Sequence, residues 1–145
     1  MRLATVLFSL CATLAACASV PHVPPLDGTS WRLARFESPG AASAVLRPDD
    51  PQRFTLSFGQ DGRIAARLDC NRAGGSWQAV PADTHGGGLR IGPLAMTRAM
   101  CPPDPIGERL SRDLESVTSY RFQDGRLHLI LPADAGIYVW ERIAP

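Results

Sequence analysis

Beyond its first twenty residues the chain holds two cysteines, Cys70 and Cys101, and how they are satisfied limits every fold the rest can adopt. Neither belongs to a C-x-x-C pair, and they stand far apart in the sequence. A zinc site would need two further ligands, with His85 and His128 brought in by the fold alone. A catalytic Cys-His pair would need the same coincidence. A disulfide needs only an oxidising compartment and close Cα atoms. The expectation is a structural Cys70–Cys101 bridge. Closing the loop between them contributes about 3–4 kcal/mol in the chain-entropy model.

The N-terminus points to the compartment. Met1-Arg2 is a short positive start, and residues 3–13 are apolar. That run is too short for a membrane-spanning helix, which takes about 20 residues, so it reads as an export signal. It ends in Leu14-Ala15-Ala16-Cys17, which resembles the bacterial lipobox. The resemblance implies cleavage after residue 16, a diacylglyceryl thioether on Cys17, and acylation of the new amine by a palmitate-type chain. Several acyl chains make a lasting anchor where one alone is marginal. The competing reading is a plain signal peptide with a chance cysteine. Cys11 would leave with the signal. Ala18-Ser19, with no Asp directly after Cys17, imply the outer membrane, with the domain facing the periplasm. Val20-Pro21-His22-Val23-Pro24-Pro25 reads as a stiff, extended tether. The organisation expected is a lipoprotein signal peptide over 1–16, the lipidated cysteine and tether over 17–25, and one domain over 26–145.

Removing the signal leaves positions 17–145, enough for one core. Arg2 goes with it, leaving 14 basic residues, all Arg, against 14 acids. A near-neutral domain argues against nucleic acid, which requires a basic face.

The domain reads as short strands between turns. Gly28 to Phe36 alternates around Trp31 and Leu33; Ser38 to Gln52 is a Pro/Gly/Ala-rich loop. Phe54, Leu56 and Phe58 face a core, Gly59-Gln60-Asp61-Gly62 turns, and Ile64, Ala66 and Leu68 return inward. Continuing the alternation puts Cys70 inward as well. Gly74 to Val80 is a weaker strand, and Pro81 to Gly88 a turn whose glycines lack the context of a nucleotide loop. Leu89-Arg90-Ile91 and Leu94 to Met100 read as further strands. Asp104 caps a helix to about Val117, with Pro105 in its first turn and Ile106, Leu110, Leu114 and Val117 in one apolar stripe. Glu108, Arg109, Arg112, Asp113 and Glu115 are assigned to its wet side. A hairpin around Gln123-Asp124-Gly125 follows, with His128 pointing away from the Leu127/Leu129 face, and Ile137 to Arg142 is the last strand. The fold class expected is mainly β (α+β): a small antiparallel, barrel-like sheet with one amphipathic helix covering an opening or face.

These residues together resemble the META domain of HslJ-like proteins. The likeness rests on the lipobox, Gly28-Thr29-Ser30-Trp31, Phe54-Thr55-Leu56-Ser57-Phe58 running into Gly59 to Gly62, Cys70-Asn71, Met96-Thr97-Arg98-Ala99-Met100-Cys101, the helix and the closing hairpin. It spans about residues 26–143. The resemblance implies a bacterial envelope lipoprotein with a stress-related setting. It carries no catalytic residue and no cofactor.

The function expected is a non-catalytic envelope lipoprotein with a stress-related or binding role. It would touch the membrane through Cys17 and an unknown protein or small-molecule ligand through its domain. The alternative is an interaction module, such as an inhibitor of an attacking lysozyme or protease. No Gly-x-Ser-x-Gly, His-Glu-x-x-His or metal-spaced cluster is present. The candidate surface site is Asn71, Arg72, Thr97 and Arg98, where a disulfide would hold the backbone rigid. The competing reading is that Asn71 and Thr97 satisfy backbone groups beside the bridge.

Overall fold

The computed structural model describes residues 26–39 and 44–144. Cys17 and the tether lie outside the described residues.

Ten strands are present among the described residues: β1 (Thr29–Glu37), β2 (Val45–Leu46), β3 (Phe54–Phe58), β4 (Arg63–Leu68), β5 (Asn71–Pro81), β6 (Gly86–Ile91), β7 (Ala95–Met96), β8 (Ser119–Gln123), β9 (Arg126–Ile130) and β10 (Ile137–Arg142). Eight form an antiparallel ring in the order β1-β3-β4-β5-β6-β8-β9-β10, closed where β10 pairs β1 from Trp31↔Arg142 to Glu37↔Ile137. The two-residue strands β2 and β7 add to β1 and β5 outside the ring. Closure removes the open edges on which a sheet would otherwise recruit another chain.

The alternation expected for β3 and β4 holds. Phe54, Leu56, Phe58, Ile64, Ala66 and Leu68 are all buried. Eight strands enclose a space that side chains just fill. Here Trp31, Trp140, Tyr138, Phe36, Phe54 and Phe58 fill it, each 1 % exposed or less. Strand β1 reaches both halves of the ring because its register shifts between Leu33 and Arg35; this bulge brings Phe36 back to the interior. Trp31 Nε1 donates to Thr29 Oγ1 (2.7 Å), and Thr29 Oγ1 donates to the Leu26 carbonyl. Trp77 Nε1 donates to Gly59 O. The buried Trp140 Nε1 has no acceptor among the described residues.

One helix, α1 (Pro105–Asp113), closes one end of the barrel and runs into a 3-10 turn over Leu114–Ser116. Its start follows expectation: Asp104 Oδ1 accepts from the N–H groups of Ile106 and Gly107, and Pro105 needs no partner. Ile106, Leu110, Leu114 and Val117 are buried as one stripe. The helix is shorter than the sequence suggested, because the last turn tightens to put Val117 onto the core. Its polar face is also less wet than expected. Arg109 lies over the Phe36 ring (4.2 Å to the centroid) and pairs with Asp113, which accepts from Tyr138 Oη.

Three further expectations are corrected. The segment Leu94–Met100 pairs as a strand only at Ala95–Met96; past one further backbone bond, from the Thr97 N–H to Arg72 O, the Asn71 side chain takes over from the ladder. The Ser38–Gln52 loop contains β2 and ends in a 3-10 turn capped by Asp50. The glycine run is not a turn: Gly86, Gly87 and Gly88 begin β6 and pair with both β5 and β8. A Cβ on Gly86 would stand 2.1 Å from the Tyr120 carbonyl oxygen, so this seam of the barrel admits no side chain there.

Candidate functional site: a loop clamped by a disulfide and an asparagine

Strands β4 and β5 meet in a two-residue turn, Asp69-Cys70, with Leu68 opposite Asn71. Asp69 takes φ 64°, a left-handed conformation that Asp tolerates better than most residues. The turn reverses the alternation expected there. Asp69 is buried in an ion pair with Arg53, and Cys70 is exposed rather than inward.

Cys70 and Cys101 form the expected disulfide, with Cα atoms 5.6 Å apart. It ties the hairpin tip to the segment that leads into α1. Asn71 finishes the clamp. Its Oδ1 accepts from the Ala99 N–H (2.7 Å) and the Thr97 hydroxyl (3.0 Å), and its Nδ2 donates to Ala99 O (3.2 Å). Thr97 Oγ1 in turn accepts from the Arg72 N–H (3.0 Å). One side chain therefore organises the whole 97–101 turn.

The four candidate residues do come together, but in two roles. Asn71 and Thr97 are occupied with backbone and with each other, which is the competing reading of them. Arg72 and Arg98 project to solvent without an acidic partner among the described residues. Met100 is 99 % exposed and Met96 38 %, so the clamp presents two sulfur-bearing side chains on rigid backbone. A polar depression of about 220 Å³ adjoins the bridge, lined by Asp69, Asn71, Asp104 and Glu108 among others. Its three carboxylates all have partners, Asp69 with Arg53, Asp104 with the helix cap and Glu108 with Arg112. Sequence reading missed this because nothing local marks Asp69 as buried.

The histidines do not approach the bridge as a set. His85 sits in the β5–β6 connection, where its N–H bonds Asp83 Oδ1. His128 lies on the outer face of β9, opposite Val139. Among the described residues no group of three or more His, Cys, Asp or Glu could hold a metal.

Asn71→Ala leaves the exposed Ala99 N–H and Thr97 hydroxyl to water, at a cost of about 0.5–1.5 kcal/mol for each bond lost. Amide exchange at Thr97 and Ala99 should rise with the disulfide intact; unchanged exchange would mean the bridge alone fixes the turn. On the far wall, burial pushes the His128 pKa below its ordinary value. A lowered folded pKa means that the unfolded chain binds the proton first. Its contribution to stability is therefore present above pH about 6.5 and lost as pH falls toward the folded pKa. In His128→Asn the denaturation midpoint should fall less between pH 7.5 and 5.5 than in the parent protein; equal falls would exclude His128 as the cause.

Together these features define a class: a small closed barrel with a filled interior, one helix over its end, and an outer loop locked by a disulfide. The chain belongs to the META domain family, which matches residues 24–141. No curated protein matches the sequence significantly. Among solved structures, a protein from Burkholderia xenovorans determined by NMR shares the fold at a TM-score of 0.62 and 19% identity, covering 94% of this chain and 100% of that one. A DUF4847 family protein from Bacteroides vulgatus shares it at 0.55 and 14%, covering 79% and 92%. Both likenesses concern the fold alone. Neither the META domain nor this barrel is known as a catalytic family.

Proposed function

We propose that this chain is a non-catalytic envelope lipoprotein, held through Cys17 in the outer membrane and facing the periplasm, with a stress-related or binding role carried by its outer surface. The observation behind this reading is the filled interior. Barrels that carry a small molecule keep a cavity between the strands. In this one, two tryptophans, a tyrosine and three phenylalanines occupy that space. Depressions lie on the outside, such as the one beside Leu26, Gln60, Trp77 and Val80. Flotation of cell envelopes tests the anchor. The wild-type protein should float with outer-membrane lipid, and Cys17→Ala should leave it as uncleaved precursor. A soluble, processed wild-type protein would refute the reading.

A second reading, an interaction module such as an inhibitor of a lysozyme or protease, draws on the clamped loop. Exposed Met96, Arg98 and Met100 stand on backbone already ordered by Asn71 and the bridge, which lowers the entropy cost of binding. A complex lost on Met100→Ala or Arg98→Ala would support it. No complex across a panel of lysozymes and proteases would count against it.

A further inference from the structure

The arginines of this barrel differ from wall to wall in how they are paired. On the wall made by β8, β9, β10 and β1, Arg121 pairs Asp83, Arg126 and Arg32 share Glu141, Arg35 pairs Glu37, and Arg142, without an ion pair among the described residues, lies over the Trp31 ring. On the wall made by β4, β5 and β6 the outward arginines are Arg63, Arg67, Arg72 and Arg90. All four are exposed and none has an ion pair among the described residues; Arg67 donates only to the carbonyls of Asp69 and Gln52, which leave its charge unpaired. The segments outside the described residues contain no Asp or Glu that could supply one.

The placement is specific. Arg67 and Arg72 stand directly opposite each other in the β4–β5 register. Like charges so placed are unfavourable in a sheet. The next outward pair is Ala65↔Gly74 and the one after it Arg63↔Ser76, while Arg90 faces Gln78 across β5–β6. No outward residue of β4, β5 or β6 is acidic. Acids do stand at the wall's border. Asp61, in the β3–β4 turn, accepts from the Arg63 N–H, and Asp27 precedes β1. Arg98, in the clamped loop, extends the positive field beyond β5.

The chain enters the barrel beside this wall. Leu26 lines an outer depression with Gln60, Gly62 and Gln78; Gly62 precedes Arg63 in sequence, and Gln78 faces Arg90 across the ladder. From Cys17 to Leu26 is nine residues, a reach of at most about 30 Å. A lipid on Cys17 therefore keeps the arginine wall within reach of the headgroups that surround the anchor.

We propose that the β4–β5–β6 wall, through Arg63, Arg67, Arg72 and Arg90, lies against the anionic phospholipid headgroups of the membrane that holds the tether. The acyl chains supply attachment, and the guanidinium row supplies orientation by pairing with phosphate oxygens. The paired wall and the end of the barrel that carries Ala135 are left facing away from the lipid. This rests on the lipoprotein reading above.

The test uses the full lipoprotein in vesicles of neutral phosphatidylcholine or of phosphatidylcholine with about 30 % phosphatidylglycerol. A dye is attached through Ala65→Cys, between the arginines, or through Ala135→Cys, across the barrel. The native thiols are occupied by lipid and by the disulfide. Acrylamide quenching at position 65 should fall about threefold on the anionic vesicles relative to the neutral ones, with position 135 unchanged. The protection should vanish in Arg67→Glu/Arg72→Glu and in the milder Arg67→Gln/Arg72→Gln. It should also vanish near 1 M salt, where screening acts over about 3 Å. Equal quenching at position 65 on both membranes, or protection that survives charge reversal, overturns the proposal; in the first case a soluble acidic protein becomes the occupant to seek. Flotation of the same samples reads the anchor separately: protein that floats but is not shielded refutes only the orientation, and protein that does not float refutes the anchor.

Discussion

Replacing both bridge cysteines, Cys70→Ser/Cys101→Ser, lowers the free energy of unfolding by about 3–4 kcal/mol. The disulfide closes a sequence separation of 31 and ties the β4–β5 turn to the segment before α1, beyond the short β5–β7 ladder. Without it the unfolded chain regains the freedom of that loop. The native state loses little enthalpy, because Cys70 is exposed and Cys101 half-buried, so serine hydroxyls there remain hydrated. Asn71 still holds Ala99 and Thr97, which keeps the native turn formed after the bridge is gone. For a domain whose total stability falls in the usual range of about 5–15 kcal/mol, the loss is large. Urea denaturation of the oxidised parent and the double variant measures it. A difference under about 1 kcal/mol would mean that the non-covalent clamp already fixes the loop in the unfolded ensemble.

Trp31→Ala is expected to cost about 3–5 kcal/mol. Trp31 is 1 % exposed on β1, the strand through which the ring closes, and it pairs with Leu56 of β3 on one side and Arg142 of β10 on the other. Its ring packs 5.8 Å from that of Phe122, across the barrel, with the Arg142 guanidinium 5.7 Å from its centroid. Truncation opens a cavity that the surrounding strands, fixed by ladders on both edges, cannot collapse into. The Thr29 hydroxyl keeps its bond to Leu26 O, so the penalty is one of packing and not of a newly buried polar group. The same denaturation experiment reads it. A cost no larger than that of an ordinary surface substitution would show that the interior is loosely packed and can close over the missing ring.

Much of this architecture was legible because its signals are local. Phe54, Leu56 and Phe58 alternate with polar neighbours, Asp124-Gly125 supplies the two positive-φ residues of a tight hairpin, and Asp104-Pro105 marks a helix start. The disulfide was legible for a different reason, since an oxidising compartment, which the N-terminal signal pattern leads one to expect, would leave a lone cysteine pair one simple fate. What could not be read depends on distant or cryptic geometry. Trp31 and Arg142 pair from opposite ends of the domain, and nothing near either announces it. Gly86 to Gly88 carry no side-chain pattern, so a strand built from them resembles a turn. Cys70 was placed on the wrong face because a single left-handed residue, Asp69, resets the period. The candidate site was found as a location, while its division into clamp (Asn71, Thr97) and exposed cations (Arg72, Arg98) required the hydrogen bonds themselves.

The proposed function requires a barrel that is tethered by lipid, works from its surface and carries nothing inside. The most direct measurement is native mass spectrometry of the protein released gently from its own envelope. The expected mass is the chain from Cys17 onward, with its acyl groups added and two hydrogens missing at Cys70 and Cys101. A stoichiometric small molecule retained by the folded barrel, or a mature chain that begins elsewhere without lipid, would contradict it.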